Sequence, residues 1–306
     1  MNKPDQTRSD NLRLAVFAVV FAVLSLAFGD AVIKSMSLSF PLAQIYVLRS
    51  LIALAILLAI VRWRAPTLAL IPKSIFWTAI RSLFLVCMWL AYYAALPQMK
   101  LSVAAAVYYT IPLFIALFSA WFAGERVSRR CWFAILLGFA GVLVIVRPDA
   151  GGFNGYVLLP LVAAILYALA MILTRTKCLD EDPRVLALSL NLMFVLTGAL
   201  ATVVLAVWGP DEATRLANSF LLGEWTQLDA RGWGAMTVLG IVVVIGSLFA
   251  AIAYQNGPPS VVASFDYSYL AFSALWGLVF FAEVPDALTV LGMVMIAGAG
   301  LVAVRE

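Results

Sequence analysis

Tyr108-Tyr109-Thr110-Ile111-Pro112-Leu113-Phe114 and Asp266-Tyr267-Ser268-Tyr269-Leu270-Ala271-Phe272 occupy the same place in two longer stretches, Ala95–Arg147 and Ala253–Arg305. Sliding the chain along itself by 158 positions lays one stretch over the other without a gap. Ser102 then meets Ser260, Val103 meets Val261, Tyr109 meets Tyr267 and Phe114 meets Phe272. Further on, Leu117 meets Leu275, Phe122 meets Phe280, Glu125 meets Glu283, and Val146-Arg147 meets Val304-Arg305. About a quarter of the positions are identical. An apolar bias raises chance matches, but it does not explain paired Tyr, Glu and Arg residues. An internal repeat of this length is a statement about architecture.

Working outward, the chain reads as ten apolar runs near 12–33, 41–61, 74–95, 101–122, 131–147, 155–174, 186–208, 233–254, 260–281 and 287–304. Roughly 20 apolar residues are needed to span a bilayer as a helix. The runs are apolar all round, whereas a transmembrane barrel strand alternates. The expected fold is therefore an all-α integral membrane protein of ten transmembrane helices. Five spans per half is an odd number, so the second half enters the membrane from the opposite side. The halves, 12–148 and 149–306 after an N-terminal tail of 1–11, form two inverted five-helix repeats around a central cavity. Such a pair can exchange inward- and outward-open packings, a physical pointer to a transporter.

Composition agrees. Hydrophobic residues make up 64% of the 306 residues and charged residues 12%, against about 45–50% and 25% in soluble domains. This excludes a soluble enzyme, a nucleic-acid binder and a disordered chain. The sequence holds no histidine and three cysteines. That removes Ser-His and Cys-His nucleophile pairs, HExxH zinc sites, and a disulfide framework or four-cysteine metal centre. No cofactor, metal or catalytic residue is expected. The run from Leu14 to Ile33 exceeds the 7–15 residues of a signal-peptide core, and reads as a retained first span.

Loop charges set the orientation. Arg62, Arg64 and Lys73, then Arg126, Arg129 and Arg130, then Arg175, Lys177 and Arg184, with Arg305, fall on the side of the N-terminus. The opposite loops carry Lys34, Lys100, Arg147, Arg215 and Arg231, spread thinly. The positive-inside bias puts both termini in the cytoplasm of a cell whose inner membrane holds the chain. A short surface helix is expected in the longest loop, Gly209–Gly232.

The residues that carry a family resemblance run in order along the chain. They are Gly29-Asp30-Ala31-Val32-Ile33-Lys34, Tyr46-Val47-Leu48-Arg49, Tyr92-Tyr93-Ala94-Ala95-Leu96, Tyr109-Thr110-Ile111-Pro112-Leu113-Phe114, Gly124-Glu125-Arg126 and Gly138-Phe139-Ala140-Gly141. They resemble the drug/metabolite transporter (DMT) superfamily, EamA-type ten-helix carriers, and within these the YddG-type bacterial exporters of aromatic and other neutral amino acids. The resemblance implies export of small solutes by alternating access. It places the substrate cavity between spans three, four, eight and nine, with the first, second, sixth and seventh around it. The second half departs from the pattern at Leu270, where the first has Pro112, and at Ala282, where it has Gly124.

Ionisable groups inside a span are costly and mark functional sites by default. Asp30 and Arg49 fall in the outer part of the bilayer; Arg81 and Asp266 each lie about 10 Å from its inner edge by helical rise. Two depth-matched pairs follow, each either a permanent ion pair or a gate. Asp266 has two further roles open to it, a partner for a substrate ammonium or a proton-coupling carboxylate. Trp89, Tyr93, Tyr108, Tyr109, Tyr267, Tyr269 and Trp276 are mid-span aromatics suited to an amphipathic solute. Ser247, with Gly246, keeps the eighth span narrow. Pro112 removes a backbone hydrogen bond and predicts a hinge in the fourth span. Ala134 and Gly138 give the fifth span a small face for packing. Glu125 and Glu283 end spans four and nine as anchors or, less simply, gates.

The expected function is secondary export of neutral or aromatic amino acids by a functional monomer, with proton coupling open. The alternative cargo is cationic drugs or other metabolites. A membrane-embedded enzyme is the distant alternative: the aspartyl kind needs two meeting carboxylates, and Asp30 and Asp266 lie at opposite depths. ATP-driven pumping is excluded by the lack of a Walker loop.

Overall fold

A computed structural model describes residues 11–99, 101–118, 128–146 and 155–304, and these are helical with short connections. Among the described residues, six helices are long and apolar enough to cross a membrane. They are α1 (Leu12–Met36), α2 (Leu42–Arg64), α3 (Ile75–Ala95), α7 (Leu158–Thr176), α8 (Pro183–Trp208) and α11 (Ala230–Asn256). Between them lie α4 (Leu101–Tyr108), α5 (Ile111–Phe118), α6 (Arg129–Val146), α9 (Glu212–Ala217), α10 (Ser219–Leu222), α12 (Pro259–Asp266), α13 (Ser268–Phe281) and α14 (Ala287–Val304). The longest loop carries α9 and α10, as expected.

Two of the expected spans are interrupted. Span four is α4 and α5, broken at Tyr109–Thr110, and span nine is α12 and α13, broken at Tyr267. Pro112 is the second residue of α5 and cannot donate to the α4 ladder. No proline follows Tyr267 at the matching place, so proline alone does not cause the breaks.

Helix ends are tied locally. Asn11, Asp182, Asp211 and Asp229 each cap the helix that follows by accepting from a first-turn N–H. The Arg184 guanidinium, bonded to Asp182, holds that carboxyl below the usual range.

Packing pairs α1 with α11, α3 with α7, α2 with α8 and α6 with α14. Glycines set the closest approaches. A Cβ on Gly198 would meet the Ala43 carbonyl of α2 at 2.9 Å, and one on Gly141 the Gly292 carbonyl of α14 at 2.8 Å. Gly138 faces Ala299 and the Tyr267 hydroxyl, so the small face of α6 is used within the chain. The bundle exterior is apolar, with Phe17, Leu51, Phe133, Leu136, Leu200, Val203, Val279 and Val294 exposed. That suits lipid rather than water.

Two ends of the bundle can be told apart. At one, Gln44 bonds to Thr226 and Lys34 to Glu283. At the other, Lys73 bonds to Asp180 and Glu181, Arg175 to the Gln255 carbonyl, and Gly257 lies on Ala15.

α13 ends at Ala282, which has φ 52°, the left-handed conformation, and is the one described non-glycine residue with positive φ. Its repeat mate is Gly124. A Cβ in this region is strained by roughly 1 kcal/mol. Ala282→Gly should therefore raise thermal stability in detergent by about 0.5–1 kcal/mol; an unchanged or lowered melting temperature would contradict the assigned strain.

Candidate functional site

The centre of the bundle is a cluster of tyrosines hung between two buried carboxylates. Asp30, near the end of α1, is 1% exposed. Tyr93 of α3 donates to its Oδ1 at 3.2 Å, and Tyr269 of α13 donates to its Oδ2. The Tyr269 hydroxyl also lies 3.0 Å from that of Tyr92. Tyr92 packs on Tyr108 at 4.8 Å between ring centroids, and Tyr108 on Tyr167 at 6.1 Å. Tyr167 packs on Tyr254 at 6.3 Å, and Tyr254 donates to Asp266. Five phenols thus run from one carboxylate to the other with Tyr93 beside them. Phenol donors are what a buried carboxylate needs when no cation reaches it.

The expected ion pairs do not form. Arg49 meets Asp30 only through Tyr93, whose hydroxyl takes a bond from Arg49 Nη1 at 3.5 Å. The guanidinium instead lies over the rings of Phe194 and Tyr46, at 4.7 and 5.0 Å. Arg81 donates to Thr174 Oγ1 on α7 at 2.6 Å, not to Asp266. Counting residues along a helix gives depth but not direction. Arg81 and Asp266 have different partners, Thr174 and Tyr254.

The other expected site residues divide. Trp89, Tyr93, Tyr108, Tyr109, Tyr267 and Tyr269 are all buried in the cluster. Trp89 packs on Tyr93 at 4.9 Å, and Tyr109 stacks on Tyr269 at 4.7 Å and approaches Tyr267 at 6.4 Å. Ser247 is buried but bonds to the Val244 carbonyl of its own helix. Trp276 stands apart, against Phe28 and Phe280. Glu125 lies outside the described residues. Among the described residues the rings of the centre pack against one another. The void beside them, lined by Leu26, Gly29, Asp30, Arg49, Trp89, Tyr93, Leu239, Val242 and Val243, measures about 10 Å³, room for one water at most.

Sequence reasoning passed over Tyr46, Tyr92, Tyr167 and Tyr254. Tyr92 adjoins Tyr93, and buried phenols on the surrounding helices were the missing signal. It also left Lys34 and Glu283 unjoined. Lys34 Nζ lies 2.7 Å from Glu283 Oε1 and 4.8 Å from the Phe281 ring centroid. It donates to the Met99 carbonyl as well, and Glu283 Oε2 accepts from Leu101 N–H. This junction draws α1, α13 and the connection into α4 together at one end. Among the described residues no group of three or more metal-ligating side chains gathers.

An all-helical bundle with a lipid-facing exterior, a polar aromatic centre and interrupted helices is a polytopic membrane protein of the transporter kind. The EamA-like transporter family matches residues 13–147, the first half of the repeat. The pseudopaline exporter CntI of Pseudomonas aeruginosa is 28% identical over 94% of each chain. A riboflavin transporter of Rhizobium johnstonii is 27% identical over 71% of this chain and 65% of its own. An S-adenosylmethionine uptake transporter of Rickettsia felis is 26% identical over 65% and 61%. A solved crystal structure shares the fold over 95% of both chains, with a TM-score of 0.69 at 22% identity. The chain is thus a membrane transporter and not an enzyme.

Lys34 and Glu283 are mostly covered, so their exchange is informative. Lys34→Glu or Glu283→Lys should each lower the melting temperature in detergent, and the double exchange should recover about 1 kcal/mol of the loss. Additive losses in the double variant would contradict the junction.

Proposed function

We propose that the chain exports small amphipathic metabolites, foremost neutral and aromatic amino acids, by alternating access. In this reading it works as a monomer in the bacterial inner membrane, with both termini cytoplasmic. The observation that carries it is the pair of matched breaks: α4–α5 and α12–α13 are interrupted at repeat mates, and Tyr109 and Tyr267 of the two breaks approach each other in the core. Interrupted helices at a repeat interface are where carriers hold solutes.

The packing supports ten spans in two halves, 12–148 and 149–306, that exchange under a pseudo-twofold axis. α1 packs on α11 as its mate α7 packs on α3; α1 on α13 as α7 on α5; α2 on α11 as α8 on α3; and α2–α8 and α6–α14 pair with their own mates. α1 begins at the end of the bundle where α7 finishes, next to Gly257 and Gln255, as opposite orientation requires. The closed aromatic centre is then the occluded state, and the Lys34–Glu283 junction closes the outer face. The apolar rings favour amphipathic cargo. The relatives' names cover both export and uptake and differ in cargo, so the direction and the amino-acid preference rest on the residues.

One observation favours a second cargo. Asp266 Oδ1 is buried without a hydrogen-bond partner, and a cationic solute would satisfy it. Asp30 and Asp266 are also the buried carboxylates through which a proton gradient would couple.

Proteoliposomes preloaded with L-phenylalanine, L-tryptophan, L-methionine or L-threonine should take up the labelled compound by counterflow, with an imposed pH gradient shifting net flux if protons are coupled. Asp266→Asn should spare amino-acid counterflow and abolish uptake of organic cations if these share the path. Failure to move any of a broad panel of amino acids, cations and other metabolites would contradict the transport reading.

A further inference from the structure

Arg49 is 3% exposed, sits in the membrane-spanning part of α2 and forms no ion pair with the described carboxylates. Its Nη1 reaches the Tyr93 hydroxyl, while Nε and Nη2 are buried without any hydrogen-bond partner. These two nitrogens form one edge of the guanidinium plane, with parallel N–H groups spaced to grip both oxygens of a carboxylate. The guanidinium carbon lies over the rings of Phe194, Tyr46 and Tyr93, at 4.7, 5.0 and 5.6 Å from their centroids. A desolvated cation with an empty fork is costly unless something completes it for part of a working cycle.

The structure assigns the free edge of Arg49 as the anchor for the carboxylate of the transported solute, with Asp30, one phenol away, receiving the ammonium end of a zwitterion. This deepens the transport reading and rests on it. The same void that Arg49 lines is bounded by Asp30 and by Leu26, Trp89, Leu239, Val242 and Val243. Its lining offers a group for each charge of an amino acid together with apolar side chains. Each Asp30 oxygen accepts one phenol bond and keeps a lone pair for an ammonium N–H. The void is shut here by close contact of α1 and α11: a Cβ on Gly29 would meet Val242 Cγ1 at 2.8 Å, and one on Gly246 would meet Leu26 at 2.4 Å. Separation of these two helices opens it. Gly29, beside Asp30, is what lets them close.

The test compares L-phenylalanine with L-phenylalaninamide, which keeps the ammonium and ring and lacks the carboxylate. Both are measured by counterflow in proteoliposomes holding wild type, Arg49→Gln, Arg49→Lys or, as a surface control, Arg62→Gln. Wild type and Arg62→Gln should move the acid about tenfold or more better than the amide. Arg49→Gln should lose that discrimination through its effect on the acid alone. Arg49→Lys keeps the charge but not the fork, and should raise KM for the acid without restoring wild-type preference. Equal handling of acid and amide by wild type, or an undiminished preference in Arg49→Gln, overturns the anchor while the transport reading stands. Movement of no compound in the wider panel overturns both. Should Arg49→Gln fail to elute as a single species, the wild-type comparison and Arg49→Lys decide the matter.

Discussion

A carboxylate and a guanidinium are buried in an apolar bundle with one tyrosine hydroxyl between them, and the rest of the structure answers to that arrangement. Neither charge is tolerable in hydrocarbon by itself. Asp30 is held by phenols from α3 and α13, and Arg49 by the faces of rings from α2, α3 and α8. Four helices besides α1 must therefore converge on the end of α1. The glycines of α1 and α11 permit that convergence. A direct salt bridge would have neutralised both groups and left nothing for a solute to bind. The intervening Tyr93 keeps them close but unpaired.

A second carboxylate, Asp266, repeats the logic near the other end. Tyr254 holds one of its oxygens, and the phenols between Asp266 and Asp30 make the middle of the protein polar in chemistry while aromatic in shape. An amphipathic solute can replace such a lining contact for contact: rings for rings, hydroxyls for polar ends.

Much of this was legible beforehand. The apolar runs are long enough that length alone separates them, and eight of them stand as uninterrupted helices over the described residues. The repeat pointed to Tyr109 and Tyr267, which turn out to mark the two helix breaks. Pro112 announced only the first; Tyr267 lies in a break with no proline after it. The ion pairs were misjudged for a definite reason. Residue counting fixes height along a helix, whereas partnership also depends on which way the side chain points. Thr174, the partner of Arg81, and Tyr254, the partner of Asp266, look unremarkable in sequence. The Lys34–Glu283 junction joins residues 249 positions apart, and the repeat singled out only one of them.

In the proposed transport cycle, two oppositely oriented halves expose the Asp30–Arg49 centre to each side in turn. A cysteine placed at Val243, on the wall of the central void, in a background where Cys87, Cys131 and Cys178 are replaced by serine, tests this directly. A membrane-impermeant thiol reagent should label it in both right-side-out and inside-out vesicles, more slowly with a transported amino acid present. Labelling from one side only, or from neither under any condition, would contradict alternating access to this centre.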